Sequence, residues 1–343
     1  MIIVMKPHAL KKDLRTVIAK IKNLGYKPHT IYGETRNVIG AIGDERGKFV
    51  LQSLETLPGV EKVVPILTPY KLASKEFKKD KTEIPISKDI VVGGKEIIVI
   101  AGPCSIEGQK MLIETAKFVK QAGAKILRGG AFKPRTSPYS FQGLERKGLK
   151  YLAKARDLAG MPVVTEVMNP EDVPMIADHA DILQVGARNV QNFTLLKKLG
   201  KIKKPVLLKR GMMTTINEFI MSAEYIISEG NSRVILCERG IRTFEDSTRN
   251  TLDISAVPVL RERTHLPVIV DPSHATGYAQ YVKAMSFASV AAGCDGLMIE
   301  VHPSPEKALS DGPQSLDFPS FAALMREIVP FVNAAGRTIA TLQ

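Results

Sequence analysis

The stretch EIIVIAGPCS at residues 96–105 opens the pattern that decides the fold. It is an almost continuous apolar run, typical of a strand buried on both faces, and it ends at Gly102 and Pro103, directly before Cys104. Seven similar runs follow, and segments with helical spacing, such as MLIETAKFVKQAG and EFIMSAEYIISEG, lie between them. The later runs are AKILRGGAF (124–132), MPVVTEV (161–167), DILQVGARN (181–189), PVLLKRG (205–211), RVILCERG (233–240), LPVIVDPSH (266–274) and DGLMIEVHP (295–303).

Apolar runs that alternate with helical segments predict parallel strands joined by helices. Eight such units over roughly 250 residues match the count of a (β/α)8 barrel, the TIM barrel. A doubly wound sheet is the alternative, but no GxGxxG motif follows the first run and no break appears after six strands. We therefore expect an α/β protein with a barrel over residues 90–343.

The first 70 residues have a pattern of their own. Four short strands are predicted at IIVM, KPHTIYG, VIGAIG and KVVPIL, with one helix before Gly25 and another near Lys48 to Leu57. The order βαββαβ is that of a ferredoxin-like α+β domain, which serves small-molecule sensors and RNA-binding proteins alike. Because VIGAIG lacks the aromatic residues on which bases stack, we expect no nucleic-acid partner. The lysine-rich segment 71–89 is predicted as a solvated linker.

The composition is that of an ordinary globular protein. The chain has 343 residues, of which 44% are apolar and 24% charged, so neither disorder nor a fibrous fold is indicated. Its apolar runs fall far short of the ~20 residues that cross a bilayer, and MIIVM at the start lacks the features of a signal peptide. The three cysteines lie far apart without a CxxC pair. We expect a cytoplasmic protein with no membrane partner.

An ionisable residue follows every one of the eight apolar runs. In a barrel the loops after the strands converge on one face, where active sites are found. A merely structural barrel has no reason to gather so many charges at one rim, since each must be desolvated or left to solvent. In strand order these residues are Cys104; Arg128 and Lys133; Glu166; Arg188; Lys209; Glu238 and Arg239; Asp271 and His274; and Glu300 and His302.

One subset has the chemistry of a metal site. Cys104, His274 and Glu300 follow strands, and Asp311 lies in the loop after the last strand. Thiolate, imidazole and carboxylate ligands suit Zn²⁺, Fe²⁺, Mn²⁺ or Co²⁺ better than Mg²⁺ or Ca²⁺. Taken singly, Cys104 also fits a buried core residue and Asp311 a turn residue before Gly312. Only the barrel assignment brings the four together.

A second subset is cationic and indicates an anionic substrate. The net charge of the chain is +13, and the most informative of the basic residues occur singly at predicted strand ends. Cations on separate strands form a pocket for phosphate and carboxylate oxygens, which arginine can bind through two hydrogen bonds. We expect a substrate with two anionic groups. The residues are Arg128, Lys133, Arg135, Arg188, Lys209 and Arg239.

Seven of these segments, in this order, resemble the type I 3-deoxy-D-arabino-heptulosonate 7-phosphate (DAHP) synthases that carry a ferredoxin-like N-terminal domain. They are AGPCS, LRGGAFKPRTSPYSFQG, VGARN, LLKRG, CERG, VDPSH and EVHP. The resemblance implies the first step of the shikimate pathway, in which phosphoenolpyruvate condenses with erythrose 4-phosphate and phosphate is released. It also implies a homotetramer whose N-terminal domain mediates feedback by tyrosine, phenylalanine or both, with His29 in the effector region.

The resemblance assigns roles to individual residues. It places the metal ligands on Cys104, His274, Glu300 and Asp311, with Cys104 and His274 also counted as catalytic. Phosphoenolpyruvate binding falls on Arg128, Lys133, Arg188, Lys209 and Arg239, beside Glu166, Gly186 and Ala187. The aldose phosphate falls on Pro134, Arg135, Thr136 and Ser137. We add Asp271, which ends the seventh strand, to the substrate-binding residues, and we expect Lys133 and Glu166 to handle the proton of the attacking water.

Three other readings stay open at this point. The sister enzyme 3-deoxy-D-manno-octulosonate 8-phosphate synthase uses arabinose 5-phosphate, but its loop is one residue longer before the arginine than Lys133-Pro134-Arg135 is here. A Schiff-base aldolase would use Lys133 or Lys209 and has no need of the four metal-type residues. A ligand sensor with a decayed barrel would not need the whole set of strand-end groups.

Overall fold

The structure is a computed structural model that describes residues 1–33, 35–43, 45–64, 69–134 and 137–340. The chain forms two compact units, Met1–Asp80 and Lys81–Gln343. This division falls inside the segment 71–89 that the sequence predicts as a linker.

The first unit is the ferredoxin-like domain that the sequence predicts. Its strands pair in the order β2-β3-β1-β4, and the three pairings between described residues are antiparallel. Helix α1 buries Leu14, Val17 and Ile21 against this sheet, three residues at helical spacing. The elements are β1 (Ile2–Met5), α1 (Lys11–Asn23), β2 (Lys27–Tyr32), β3 (Asn37–Ile42), a 3-10 helix (Glu45–Thr56) and β4 (Val60–Val64).

The second helix of this unit differs from the expected one. Near Lys48 to Leu57 the backbone forms a 3-10 helix. The hydroxyl groups of Ser53 and Thr56 each donate a hydrogen bond to the carbonyl three residues earlier, which suits the tighter i to i+3 spacing.

The expected linker is ordered and contributes to both units. Leu72 and Phe77 are buried in the first unit, where a Cβ added at Gly40 would lie 3.0 Å from each. Strands β5 (Ile84–Ser87) and β6 (Ile90–Val92) form an antiparallel hairpin in the second unit. The expectation of a solvated linker at 71–89 was therefore wrong, because apolar residues spaced among the lysines are enough to fold this segment onto its neighbours.

The second unit is a closed barrel of eight parallel strands, as predicted. All eight apolar runs contribute one strand each. In chain order they are β7 (Ile98–Gly102), β8 (Ile126–Arg128), β9 (Val163–Val167), β10 (Ile182–Val185), β11 (Val206–Lys209), β12 (Val234–Glu238), β13 (Val268–Val270) and β14 (Gly296–Glu300). The first and last strands close the barrel in a register that pairs Glu300 with Gly102.

Helices surround the barrel. They are α2 (Gln109–Gln121), α3 (Glu145–Ala159), α4 (Val173–His179), α5 (Phe193–Leu199), α6 (Ile216–Ser228), α7 (Ala256–Arg263), α8 (Pro272–Thr276), α9 (Ala279–Ala291), α10 (Phe318–Glu327) and α11 (Val329–Ala334). Short 3-10 turns lie at Pro170–Asp172, Ala187–Asn189, Pro305–Lys307 and Gly312–Gln314. None of the helices in the described ranges is long and apolar enough to span a membrane.

The hairpin β5–β6 packs into the interior of the barrel. Its residues Ile84, Ile90 and Val92 belong to one apolar cluster with side chains from all eight barrel strands. The barrel is therefore a filled core with a covered amino-terminal end, and the carboxyl ends of the strands remain as the face on which a site forms.

Candidate active site

A cavity of about 390 Å³ opens at the carboxyl ends of the barrel strands. Most of the residues that the sequence singles out line it. They are Arg128, Lys133, Pro134, Ser137, Glu166, Gly186, Ala187, Arg188, Lys209, Arg239, His274 and Asp311. Arg135 and Thr136 lie outside the described residues.

Four candidate metal ligands converge beside this cavity. One ligand atom from each of Cys104, His274, Glu300 and Asp311 lies within 4.8 Å of the others. The thiol of Cys104 is 3.0 Å from Asp311 Oδ2, and His274 Nε2 is 3.3 Å from Glu300 Oε1. The barrel thus brings together residues separated by up to 207 positions in the chain.

Local backbone features hold each ligand in place. Gly102, with φ of +149°, turns the chain after β7 so closely past Arg128 that a Cβ would collide with its carbonyl oxygen. Pairing of Gly102 with Glu300 sets the last residue of β14 beside the loop of Cys104. Asp311 itself adopts the left-handed conformation, with φ of +54°, at the start of a 3-10 turn.

The electrostatics of the cluster favour a bound cation. Burial, helped by the nearby Glu300 carboxylate, raises the pKa of the Cys104 thiol to about 12. Burial also lowers the pKa of His274, so its imidazole is neutral at pH 7. Burial opposes ionisation of Glu300 as well, but its interactions with the adjacent His274 imidazole and the Arg128 guanidinium more than offset this, and the pKa of this carboxyl is lowered. A divalent cation would take the place of the thiol proton and neutralise the two carboxylates.

Asp271 lies behind the cluster and orients two of its neighbours. It is fully buried, and its Oδ2 lies 2.8 Å from His274 Nδ1 and 2.5 Å from Lys209 Nζ. Its Oδ1 accepts a hydrogen bond from the backbone N–H of His274 at 2.9 Å. Because Nδ1–H of His274 points to this carboxylate, Nε2 is left free toward Glu300. Asp271 is not among the residues that line the cavity, so its expected role in substrate binding is indirect in this geometry.

Five strand-end cations line the cavity in different settings: Arg128, Lys133, Arg188, Lys209 and Arg239. Arg128 lies 3.0 Å from Glu300 Oε1 through Nη2, while its Nε and Nη1 are buried with no hydrogen-bond partner among the described residues. Among the residues that the structure describes, the guanidinium of Arg239 makes two long hydrogen bonds, to the carbonyls of Gly240 and His274 at 3.5 and 3.4 Å. Buried donors without partners are costly unless a ligand satisfies them, so these guanidinium groups point to an anion in the cavity.

Glu166 lies on β9 and Lys133 lies in the loop after the neighbouring strand β8, so the two belong to adjacent strand ends, as the sequence predicts. Lys133 Nζ donates hydrogen bonds to the thiol and the carbonyl of Cys104 at 2.9 and 3.1 Å. Burial alone would lower the pKa of Lys133, but its interactions with Cys104 and Glu166 more than offset this, and the pKa is raised. Glu166 accepts a hydrogen bond from Gln184 at 3.2 Å. A Cβ at Gly186 would lie 2.0 Å from Glu166 Oε1, so the glycine leaves room for the carboxylate in its present position.

Several cavity residues were missed by the sequence reasoning. Arg249 and Asn250 lie about ten residues beyond the end of β12, in a loop whose backbone pairs Ile241 with Thr251. A rule that looks just after each strand does not reach them, although the polar run TFEDSTRN marks a long loop at that end. The cavity residues missed are Ser140, Gln184, Met212, Arg242, Arg249 and Asn250.

Two strand-end residues noted in the sequence face elsewhere. Glu238 accepts a hydrogen bond from Arg210 at 2.8 Å and is fully buried. His302 lies 3.5 Å from the carboxylate of Glu107. Neither is among the residues that line the cavity.

Comparisons with known proteins agree with this architecture. Residues 79–332 match the DAHP synthetase I family, and residues 1–68 match the DAHP synthase ferredoxin-like domain. The chain is 54% identical over 336 residues to phospho-2-dehydro-3-deoxyheptonate aldolase of Thermotoga maritima, covering 98% of this chain and 99% of that one. A crystal structure of the Thermotoga maritima enzyme, titled a DAHP synthase, superposes with a TM-score of 0.78 at 53% identity, covering 98% of each chain.

A more distant relative carries a different name. The 2-dehydro-3-deoxyphosphooctonate aldolase of Geobacter sulfurreducens is 32% identical over 264 residues, covering 72% of this chain and 96% of that one.

Proposed function

The chain belongs to the DAHP synthetase I family and is an enzyme of the 3-deoxy-7-phosphoheptulonate synthase class, and on this premise we propose its substrates, metal requirement and regulation. The substrates are phosphoenolpyruvate and erythrose 4-phosphate, which condense to DAHP and phosphate in the first step of aromatic amino acid biosynthesis. The observation that carries the proposal is a pair of buried nitrogens of Arg128, which have no hydrogen-bond partner within the described ranges, beside the four convergent metal-type residues.

The residues present fit a divalent metal ion. The donor set of one thiol, one imidazole and two carboxylates suits Mn²⁺, Fe²⁺, Co²⁺ or Zn²⁺. Glu300 Oε1 is buried and has no hydrogen-bond partner among the described residues, although it lies next to His274 Nε2. Cys104, His274, Glu300 and Asp311 would hold the ion. When bound, it supplies a Lewis acid for the aldehyde oxygen of the sugar phosphate.

The cations of the cavity bind and orient the first substrate. Phosphoenolpyruvate carries a carboxylate and a phosphate, and Arg128, Lys209 and Arg239 face the cavity from three separate strands. Arg188 lies in the 3-10 turn that follows β10, and it is exposed and lines the cavity. Pro134 and Ser137 line the same cavity and, with Arg135 and Thr136, are proposed to hold the phosphate of the sugar.

Carbon–carbon bond formation joins C3 of the enol phosphate to the aldehyde carbon. Water then adds at C2, and the resulting hemiketal phosphate releases inorganic phosphate by cleavage of the C2–O bond. Lys133, which its raised pKa keeps protonated, and Glu166 are the proposed proton donor and acceptor around that water. In ¹⁸O-labelled water the label is expected in the C2 carbonyl of the product, and label in the phosphate instead would contradict C–O cleavage.

The sister activity with arabinose 5-phosphate is less well supported. The relative that bears that name is 32% identical, against 54% for the Thermotoga maritima enzyme, and the second of these matches nearly the whole chain. One assay separates the two: phosphate release from phosphoenolpyruvate is measured with each sugar phosphate after removal of metal by EDTA and after addition of Mn²⁺. We expect turnover with erythrose 4-phosphate that depends on added metal. Turnover with arabinose 5-phosphate alone would overturn the proposal.

A Schiff-base mechanism is disfavoured by the lysines themselves. An imine-forming lysine needs a lowered pKa, whereas that of Lys133 is raised and Lys209 is paired with buried Asp271. Borohydride added together with pyruvate is therefore expected to leave the enzyme active, and irreversible inactivation would favour the imine.

Regulation, assembly and location complete the proposal. The N-terminal unit, which matches a ferredoxin-like domain of this enzyme family, is proposed to mediate feedback by tyrosine, phenylalanine or both. The protein is proposed to form a homotetramer in the cytoplasm, where its three free, buried cysteines remain reduced. Light scattering tests the tetramer directly.

A further inference from the structure

Gln314 lies directly behind Glu300 and is 2% exposed. Its amide Nε2 donates a hydrogen bond of 2.6 Å to Glu300 Oε2, and its Oε1 accepts one of 2.8 Å from Arg249 Nη1. The carboxylate on one side and the guanidinium on the other leave a single orientation for the amide. The side chain therefore acts as a fixed link between Arg249 and Glu300.

The same guanidinium group reaches the second carboxylate of the cluster. Arg249 Nη1 lies 3.2 Å from Asp311 Oδ1. One oxygen of each carboxylate is thus held from outside, Glu300 Oε2 by Gln314 and Asp311 Oδ1 by Arg249. The other oxygens face the cluster, since Glu300 Oε1 is 3.3 Å from His274 Nε2 and Asp311 Oδ2 is 3.0 Å from Cys104 Sγ. Glu300 Oε1 also lies 3.0 Å from Arg128 Nη2, at the edge of the cavity.

We propose that Gln314, supported by Arg249, is a positioning residue that commits Glu300 and Asp311 to offering one oxygen each to the metal ion. This inference rests on the metal requirement of the proposed function. A carboxylate that is free to rotate can offer both oxygens or turn away, and hydrogen bonds to the outer oxygen remove that freedom. A neutral amide suits the place, because it donates to a carboxylate and accepts from a guanidinium, whereas glutamate would set two carboxylates against each other.

The experiment compares Gln314→Met with a matched control. Methionine has similar size but neither the donor nor the acceptor, and Gln280→Met makes the same change at an exposed position on α9. Each full-length protein is freed of metal, and its affinity for Co²⁺ is measured in competition with a chelator. We expect the dissociation constant to rise about 10 to 100-fold in Gln314→Met, the range for groups that orient metal ligands, and to stay unchanged in the control. The visible absorption of bound Co²⁺ is expected to change in Gln314→Met only.

The outcomes separate this inference from the proposed function. Wild-type protein that binds no Co²⁺ would overturn the metal requirement itself. Wild-type protein that binds Co²⁺ while Gln314→Met binds it equally well, with the same spectrum, would overturn only the role of Gln314. If Gln314→Met fails to fold without metal, Arg249→Met decides, because the Arg249 side chain is 41% exposed and its loss does not threaten the core. Unchanged Co²⁺ affinity in Arg249→Met would then overturn the inference.

Discussion

The ammonium group of Lys133 lies 2.9 Å from the thiol sulfur of Cys104, and both side chains are buried. A thiol in this position is next to the charge that would stabilise its thiolate, while Glu300 and burial oppose ionisation and raise its pKa to about 12. The pair is therefore arranged so that the thiolate forms together with cation binding. It links the metal cluster to the residue proposed to handle a proton.

Replacing Cys104 with alanine is expected to abolish metal binding and turnover together. The change removes one of four convergent ligands, so the affinity for Co²⁺ should fall by more than about 100-fold, beyond the range for groups that only orient ligands. Metal content after dialysis and the rate of phosphate release measure the two effects. Cys294→Ala, at a buried cysteine outside the cluster, serves as the control. A Cys104→Ala enzyme with full metal content and full rate would disprove the site.

Asp271→Asn is expected to lower kcat/KM by about 10 to 100-fold. The substitution keeps the size of the side chain but removes the charge that pairs with Lys209 and orients His274. Steady-state kinetics with phosphoenolpyruvate as the varied substrate measure it. Asp157→Asn provides the comparison, since that carboxylate is 68% exposed and pairs only with its neighbour Arg156 among the described residues. Kinetics like those of the wild type would show that the Asp271 carboxylate orients nothing that matters to the reaction.

Deletion of Met1–Asp80 is expected to leave turnover of the same order and to remove inhibition by tyrosine or phenylalanine. The barrel unit begins at Lys81 and contains its own core, including the hairpin β5–β6. Initial rates with and without each amino acid, for the full chain and the shortened one, test this. Inhibition that persists in the shortened enzyme would place the effector site in the barrel.

The first unit is expected to lose stability as the pH falls below about 6.5, the ordinary pKa of histidine. His29, on β2, has its pKa lowered, first by burial and then by the charge of Lys27. The unfolded chain therefore binds this proton more readily than the folded one, so stability is full at neutral pH and declines on acidification. Hydrogen exchange of β2 and β3 amides on either side of that pH measures the decline, and His29→Gln should reduce it. An equal decline in that variant would assign the effect to other groups.

The sequence alone predicted the parts of the site that follow strands closely. Cys104, Arg128 and Glu300 lie at or within two residues of a strand end, and the barrel topology then brings them to one rim. Asp311 lies eleven residues past β14, and the sequence points to it because its carboxylate completes a set of four metal ligands. The alternation of apolar runs and helical segments predicts the barrel topology, and this topology determines which of these side chains lie close together.

Residues in long loops could not be predicted in this way. Arg249 and Gln314 reach the metal cluster from segments whose path depends on their own hydrogen bonds and not on strand pairing. The expectation for segment 71–89 was wrong for a related reason: its lysines outnumber its apolar residues, yet Leu72, Ala73, Phe77 and Ile84 are all buried. The number of polar residues in a segment therefore does not predict where its few apolar side chains will pack.

The hairpin of Ile84 to Val92 closes the barrel with apolar side chains at the end remote from the cavity. The residues that stabilise the barrel and the residues that line the active site therefore lie at opposite ends of the barrel. Substitutions in this hairpin should change the thermal stability of the enzyme and leave its specificity for the sugar phosphate unchanged. Stability and specificity can therefore be changed independently, by substitutions at one end of the barrel or at the other.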